Sequence, residues 1–351
     1  MKPRADPGFG PGYVLHRLDG ALLLQAGRRF AVLDGDRLVE HAPLAKAVGP
    51  GRTAAAIFGA WPSAVFAQLM NDAESNANYQ QGAIYRYRGN RFQLIKKTGP
   101  NTYYEGAYYP GDGRLGALIW ANLDGVVQTW FDILEGSPKG TLPTPAQVDG
   151  GLARIGIHAM LSLPTGHLFT CGPDNATPEQ EMAVERWTPG QPQSVVEHPP
   201  TPPGTHLTMV SLQGLAAAEV YFCGKLVDSS GAAPDSMYLA RFDGKSWARL
   251  DTPNFDMDGG QPHCQATEDG ALWVLVAGTK KPALYRRHPS GGAWATAPLP
   301  PSGGADAWSS SMQLVVTAPD ELWLALQTQA EPARFVLFRS RPVGTVLRFG
   351  E

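Results

Sequence analysis

The chain has 351 residues, of which 40 are glycine, 31 proline, 17% charged and 43% hydrophobic; this is the composition of many short strands joined by many turns, not of a disordered polymer. A formal net charge of −3 leaves no clustered Lys and Arg footprint for nucleic acid or an anionic membrane surface, so neither is expected as a partner. No stretch approaches the ~18 apolar residues of a membrane span, and the opening ten residues have a basic start without an apolar core. A cytoplasmic protein is expected, or a secreted one whose signal peptide has been removed.

Seven repeats of short strands and turns follow in chain order. The first predicts strands over 13–18, 21–25, 30–33 and 37–40, with Asp19 and Gly20 as a turn. The second predicts strands over 53–58, 64–70, 83–88 and 91–95, interrupted by a long polar insertion at 71–81. In the third, 103–109, 115–120 and 126–131 read as strands, with a weak fourth before a proline-rich connection at 143–145. The fourth carries 154–163, 167–172, 182–187 and 194–197, and the fifth 206–212, 219–224, 237–242 and 247–250. In the sixth, Asp269 and Gly270 open the apolar run Leu272–Ala277, with further strands at 283–288 and 293–297. The seventh has 309–316, 321–326, 334–339 and 344–349.

The apolar residues that open the second strand of each repeat are Leu22, Val65, Leu118, Leu168, Val220, Leu272 and Leu322, at steps of 43, 53, 50, 52, 52 and 50. A tandem period near 50 with four strands per unit predicts an all-β fold: a single seven-bladed β-propeller over 1–351, with four antiparallel strands per blade. The blades are expected over roughly 12–44, 52–98, 102–145, 153–198, 205–251, 262–298 and 307–350. A six-bladed ring with one repeat misread is the alternative count. A solenoid is disfavoured because neither end carries a distinct capping repeat.

Tyr238 with Trp247, and Tyr285 with Trp294, share one spacing, each pair preceded by a glycine that ends the second strand, Gly224 and Gly278. This pattern resembles a degenerate kelch-type repeat, with one glycine where that family has two. The resemblance implies the propeller fold over essentially the whole chain, in a family made mostly of partner-binding modules with a few enzymes.

In a propeller the loops entering the first strand share a face with those linking the second and third. The loops on that face are long and polar here, at 71–81, 173–180, 225–236 and 251–262, whereas the turns on the other face are short. Long irregular loops within a compact fold tend to carry function, so a protein, peptide or small-molecule ligand is expected on this face, bound by a monomer. Tyr103 and Trp308 are candidates to line it.

Arg52, Glu105, His158, His206 and His263 stand near the entrances of five consecutive first strands, at steps of 53, 53, 48 and 57. Three imidazoles and a carboxylate converging on a channel mouth suit zinc, iron or copper, with open positions for water or substrate, and make a metal-dependent enzyme the alternative function. Without a metal, one histidine would serve as general base beside Glu105 and Arg52. The bland alternative is a hydrated channel lined by polar residues. The segment 254–260 places Asp256 and Asp258 at alternate positions with glycine following, as in a calcium loop, but Asn254 stands first and Gln265 closes it, so calcium affinity is expected to be poor. Cys171, Cys223 and Cys264 lack zinc-type spacing; with packed sheets about 10 Å apart, Cys171 and Cys223 are not expected to bridge, and reduced, buried cysteines are expected.

Overall fold

Runs such as Leu22–Leu24 or Leu272–Ala277 have no polar alternation, so a strand made from them must be covered on both faces. The computed structural model meets this requirement by stacking small antiparallel sheets face to face, as a β-propeller. It describes residues 13–18, 21–34, 37–71, 83–97, 102–108, 115–123, 126–135, 154–163, 165–179, 181–253, 257, 260–277, 282–288, 292–297, 299, 312–318, 321–327, 335–339 and 345–348, with the backbone alone for 102–135 and 335–348.

The first sheet consists of β1 (Tyr13–Leu18), β2 (Ala21–Ala26), β3 (Arg29–Asp34) and β4 (Arg37–Glu40). The helix α1 (Ala42–Val48) follows it, and then the second sheet, β5 (Arg52–Ala60), β6 (Ala64–Asn71), β7 (Ala83–Arg88) and β8 (Arg91–Lys97). The third has three described strands, β9 (Thr102–Tyr108), β10 (Leu115–Leu123) and β11 (Val126–Glu135). The fourth contains β12 (Ala159–Ser162), β13 (Leu168–Pro173), β14 (Met182–Trp187) and β15 (Val195–Glu197). The fifth contains β16 (Thr205–Ala216), β17 (Glu219–Asp228), β18 (Ser236–Phe242) and β19 (Trp247–Arg249). The sixth contains β20 (Gln261–Ala266), β21 (Leu272–Ala277), β22 (Ala283–Arg287) and β23 (Trp294–Ala297). The seventh contains β24 (Gln313–Ala318), β25 (Glu321–Gln327), β26 (Phe335–Arg339) and β27 (Thr345–Arg348). Each four-stranded sheet is an up-and-down meander in chain order.

Six sheets have four strands and the third has three among the described residues, the weak fourth strand expected before 143–145 lying outside them. Two expectations are corrected at this level. A helix, α1, stands where none was expected: the His41 imidazole Nδ1 accepts from the Leu44 N–H at 3.1 Å, Pro43 occupies the first turn, and Leu44 and Val48 are buried one turn apart. The first strand of the fourth repeat is also shorter than read, four residues instead of ten, with only an isolated bridge between Ile155 and Asp174 before it.

The chain divides into two compact units, one of Met1–Val126, Asp132–Gly136 and Leu347–Glu351, the other of Val127–Phe131 and Ser137–Val346. In the first, Leu23 and Phe30 of the first sheet pack with Ile57, Val65 and Ala67 of the second and with Leu44 and Val48 of α1. In the second, successive sheets share cores by the two-residue period of a strand. Val220 and Phe222 of β17 face the fourth sheet, while Tyr221 and Cys223 face the sixth. Leu272, Val274 and Val276 of β21 face the fifth sheet, while Trp273, Leu275 and Ala277 face the seventh. Each fully buried Leu, Phe or Val contributes about 1.5–3 kcal/mol, so these shared layers hold one sheet to the next. Burial fades outward, and β8 has two half-buried residues, Phe92 and Ile95, among five exposed ones.

The repeated aromatic pair has a joining role. The Trp247 indole Nε1–H donates to Glu197 Oε2 in the preceding repeat at 2.9 Å, and the Tyr238 hydroxyl to the Pro200 carbonyl, in the connection from that repeat, at 2.9 Å; Trp294 likewise donates to the Asp251 carbonyl at 3.1 Å.

The expectation of reduced cysteines is corrected too. Cys223 of β17 and Cys264 of β20 form a disulfide between adjacent sheets, with Cα atoms 6.5 Å apart, and Cys171 alone is a free, buried thiol. The 10 Å spacing used for the expectation describes sheets facing one another squarely, whereas here an innermost strand lies against the second strand of its neighbour.

Candidate ligand-binding site

The fourth sheet gathers polar groups at the strand edge that carries the long loops. A close glycine contact sets this up: a Cβ on Gly172 would lie 1.3 Å from the Gly156 carbonyl oxygen, so no larger residue fits there. The Gly156 N–H donates to the Pro173 carbonyl at 2.9 Å, and the segment before β12 therefore runs beside the end of β13 and brings Arg154 to Asp174.

The Asp174 side chain is 0% exposed, and an unpaired carboxylate there would be costly. It is paired on every side. Arg154 Nε–H donates to Oδ1 and Oδ2 at 3.1 Å each, and Nη2–H to Oδ2 at 2.9 Å. His198, just past the end of β15, donates from Nε2–H to Oδ2 at 2.9 Å, and the Ala176 N–H donates to Oδ1 at 2.9 Å. Burial pushes the Asp174 carboxyl up, but the Arg154 and Ala176 hydrogen bonds, the Arg154 charge and the His198 bond outweigh it and hold it below the usual range. Arg154 is in turn held above its ordinary value, chiefly by its hydrogen bonds to Asp174. The loop after Asp174 is tied down: Asp174 N–H donates to the Glu181 carbonyl, Asn175 N–H to the Arg154 carbonyl, and Thr177 N–H to the Asp174 carbonyl.

Asp174 occupies the side-on edge of the guanidinium, and Arg154 Nη1 and His198 Nδ1 have no partner among the described residues. Their side chains are 33% and 36% exposed. The edge thus offers a fixed donor pair beside an imidazole nitrogen, both positioned by one buried carboxylate.

The same edge of the fifth sheet carries a second ordered loop. Asp228 ends β17 and accepts from the Ser230 hydroxyl at 2.7 Å and from the N–H groups of Ser230, Ala232 and Ala233 at 3.2, 2.9 and 2.9 Å. These bonds, led by that of Ser230, hold its carboxyl at about 2. Lys225 and Asp235 pair at 2.5 Å across the base of the loop.

The residues singled out by sequence are dispersed among these elements. Arg52 opens β5, its guanidinium 5.5 Å from the Tyr85 ring centroid. Glu105 lies in β9 at a register shift, between Gly106 opposite Leu118 and Tyr104 opposite Ile119, and Tyr103 is opposite Trp120. His158 is exposed, its N–H donating to the Cys171 carbonyl. His206 in β16 is exposed and lies 3.4 Å from the Ser229 hydroxyl through Nδ1. His263 in β20 is half-buried, its Nε2 has no partner among the described residues, and burial lowers its pKa. Among the described residues no three His, Cys, Asp or Glu side chains gather as metal ligands. Trp308, Asp256 and Asp258, and with them the calcium-like loop, lie outside the described residues.

Nothing at the blade period singles out Arg154, Asp174 or His198: Arg154 opens a predicted strand, and the other two lie in connections after predicted strands. A usable signal was present: Arg154 and Asp174 flank two strands predicted to pair, and a histidine follows the fourth strand of the same repeat.

No protein-family model matches the sequence, and no curated protein matches it. Solved structures do match. A prolyl endopeptidase superposes with TM-score 0.60 at 12% identity, over 97% of this chain and 49% of that one. Prolyl oligopeptidase B from Galerina marginata gives TM-score 0.59 at 8% identity, over 96% and 50%. The polysaccharide lyase Uly1 gives TM-score 0.53 at 10% identity, over 99% and 92%. The chain spans about half the length of the peptidases it matches. At these identities the likeness shows the β-propeller fold, and the kelch-type resemblance has no family match behind it.

Proposed function

We propose that the chain is a ligand-binding β-propeller whose seven sheets close as a seven-bladed ring and whose long-loop edge receives a protein, peptide or small-molecule ligand. The observation that supports this most directly is the Asp174 carboxylate, which is fully buried yet spends its hydrogen bonds on fixing two partly exposed polar groups, Arg154 and His198. A purely structural ion pair has no need to leave a guanidinium edge and an imidazole nitrogen open beside each other. The ordered Asp228 loop on the neighbouring sheet extends the same surface.

The test is a binding screen of the full chain against arrayed peptides and glycans, the glycans included because the chain matches Uly1, a polysaccharide lyase, over nearly the whole of both chains. The reading predicts ligands whose binding falls at least tenfold in Arg154→Lys or Asp228→Ala. Ligands bound equally by the wild type and both variants would overturn it.

A second reading, a metal-dependent site at the channel mouth, has one supporting observation, the unpartnered Nε2 of His263. On that reading His158, His206, His263 and Glu105 would hold zinc, iron or copper. Elemental analysis of protein purified without chelator, beside a His263→Ala variant, decides it.

A further inference from the structure

The hydrogen-bond directions at Asp174 determine what kind of group the open edge accepts. Because His198 Nε2–H donates to Asp174, a neutral His198 presents Nδ1 as an unprotonated acceptor. Because Asp174 takes the Nε and Nη2 hydrogens of Arg154 on one side, the remaining Nη1–H and Nη2–H form the end-on fork, a geometry that fits a second carboxylate. Arg154 Nη2 and His198 Nε2 both bond Oδ2, at 2.9 Å each, so the donor fork and the acceptor are anchored on one carboxylate oxygen. Gly156 and Gly172 leave no side chain between the segments that carry them.

We propose that Arg154 and His198 form a receptor for a carboxylate with a neighbouring hydroxyl: the end-on fork of Arg154 takes the carboxylate, and His198 Nδ1 accepts from the hydroxyl. This rests on the ligand-binding reading above and names its ligand class. Arg154 and Asp174 cancel in charge, so the site selects by donor and acceptor placement and not by net charge. A sulfate dianion, with no O–H at neutral pH to donate to Nδ1, is disfavoured. For a bare hydroxy acid, affinity on the order of millimolar is expected, since so few atoms make contact.

The experiment follows the His198 ring nitrogens of the full chain by long-range proton–nitrogen NMR at pH 7.5, with His198→Gln identifying the resonance. Lactate, methyl glucuronide, propionate, sulfate and chloride are titrated at equal ionic strength. The site predicts a saturable shift with lactate or methyl glucuronide, the tighter of the two telling a free hydroxy acid from a sugar acid. Propionate should need several-fold more, and chloride and sulfate should give no saturation. Arg154→Lys keeps a cation for Asp174 but has no second edge, and it should remove the response while the protein stays folded. A lactate and glucuronide response equal to that of chloride, or one unchanged in Arg154→Lys, would overturn the inference. An array ligand that is lost in Arg154→Lys but not displaced by either acid would overturn it too, while leaving the broader binding reading in place.

Discussion

Replacing Asp174 by Asn tests how the site is built. The substitution keeps shape and one acceptor, so Ala176 can still donate, but it turns an NH2 group toward the N–H donors of Arg154 and His198. Breaking a buried ion pair costs about 3–5 kcal/mol where the remaining charge stays buried. Here Arg154 and His198 are 33% and 36% exposed and regain part of their hydration, so about 2–3 kcal/mol is expected. For a unit of this size that is a fall in Tm of roughly 5–10 °C, read by tryptophan fluorescence on heating. The pH dependence gives a second arm. A carboxyl whose folded pKa lies below its unfolded value near 3.9 stabilises fully above that value and loses the contribution as pH falls through the folded pKa. The gap between wild type and Asp174→Asn in urea unfolding should therefore be smaller at pH 3 than at pH 7. A variant that melts within 1 °C of wild type, or a gap that widens in acid, would refute the argument.

His16 is buried between the first two sheets, its Nε2–H donating to Gln25 Oε1 at 2.8 Å and its Nδ1 accepting from the Ile57 N–H at 3.4 Å, and burial lowers its pKa despite the Gln25 bond. Stability should be full above about pH 6.5 and fall as pH drops toward the folded pKa, a slope that His16→Asn removes in urea unfolding followed across pH 5–7. Cys223 and Cys264 are 41 residues apart, so their double alanine variant should lose up to about 4 kcal/mol by chain entropy. Alkylation of unfolded, unreduced protein should label Cys171 alone, and three labelled thiols would contradict the bridge. Trp247→Phe removes the donor to Glu197 but keeps the ring against Phe222 and Phe242, and should cost about 1 kcal/mol in thermal unfolding.

The fold was legible because its strands and turns obey local rules. The runs at Tyr13–Leu18 and Arg37–Glu40 coincide with β1 and β4, and Asp243 closes its turn by accepting from the Lys245 and Ser246 N–H groups, as an Asp-Gly turn should. Gly89 and Asn90, at φ 60° and 59°, adopt the left-handed pair of a tight hairpin. The helix α1 is too short to show a periodic pattern: of its seven residues only Leu44 and Val48 are buried. The site was harder, since burial of Asp174 is a tertiary event: in the sequence it is one polar residue in a polar loop, and the close approach of Gly156 to Gly172 runs the Arg154 segment beside it. The histidine period is real along the chain, but among the described residues it brings no three metal ligands together. His206 precedes Leu207, which packs toward the fourth sheet, and His263 precedes Cys264, which packs toward the fifth, so the two occupy corresponding positions of their strands, while His158 precedes β12.

If the long-loop edge of the fourth and fifth sheets receives the ligand, amide hydrogen exchange on the full chain slows at 174–179 and 228–235 when a saturating ligand from the array screen is added, and is unchanged at the opposite turns 243–245 and 268–270. Protection confined to those opposite turns overturns the proposal.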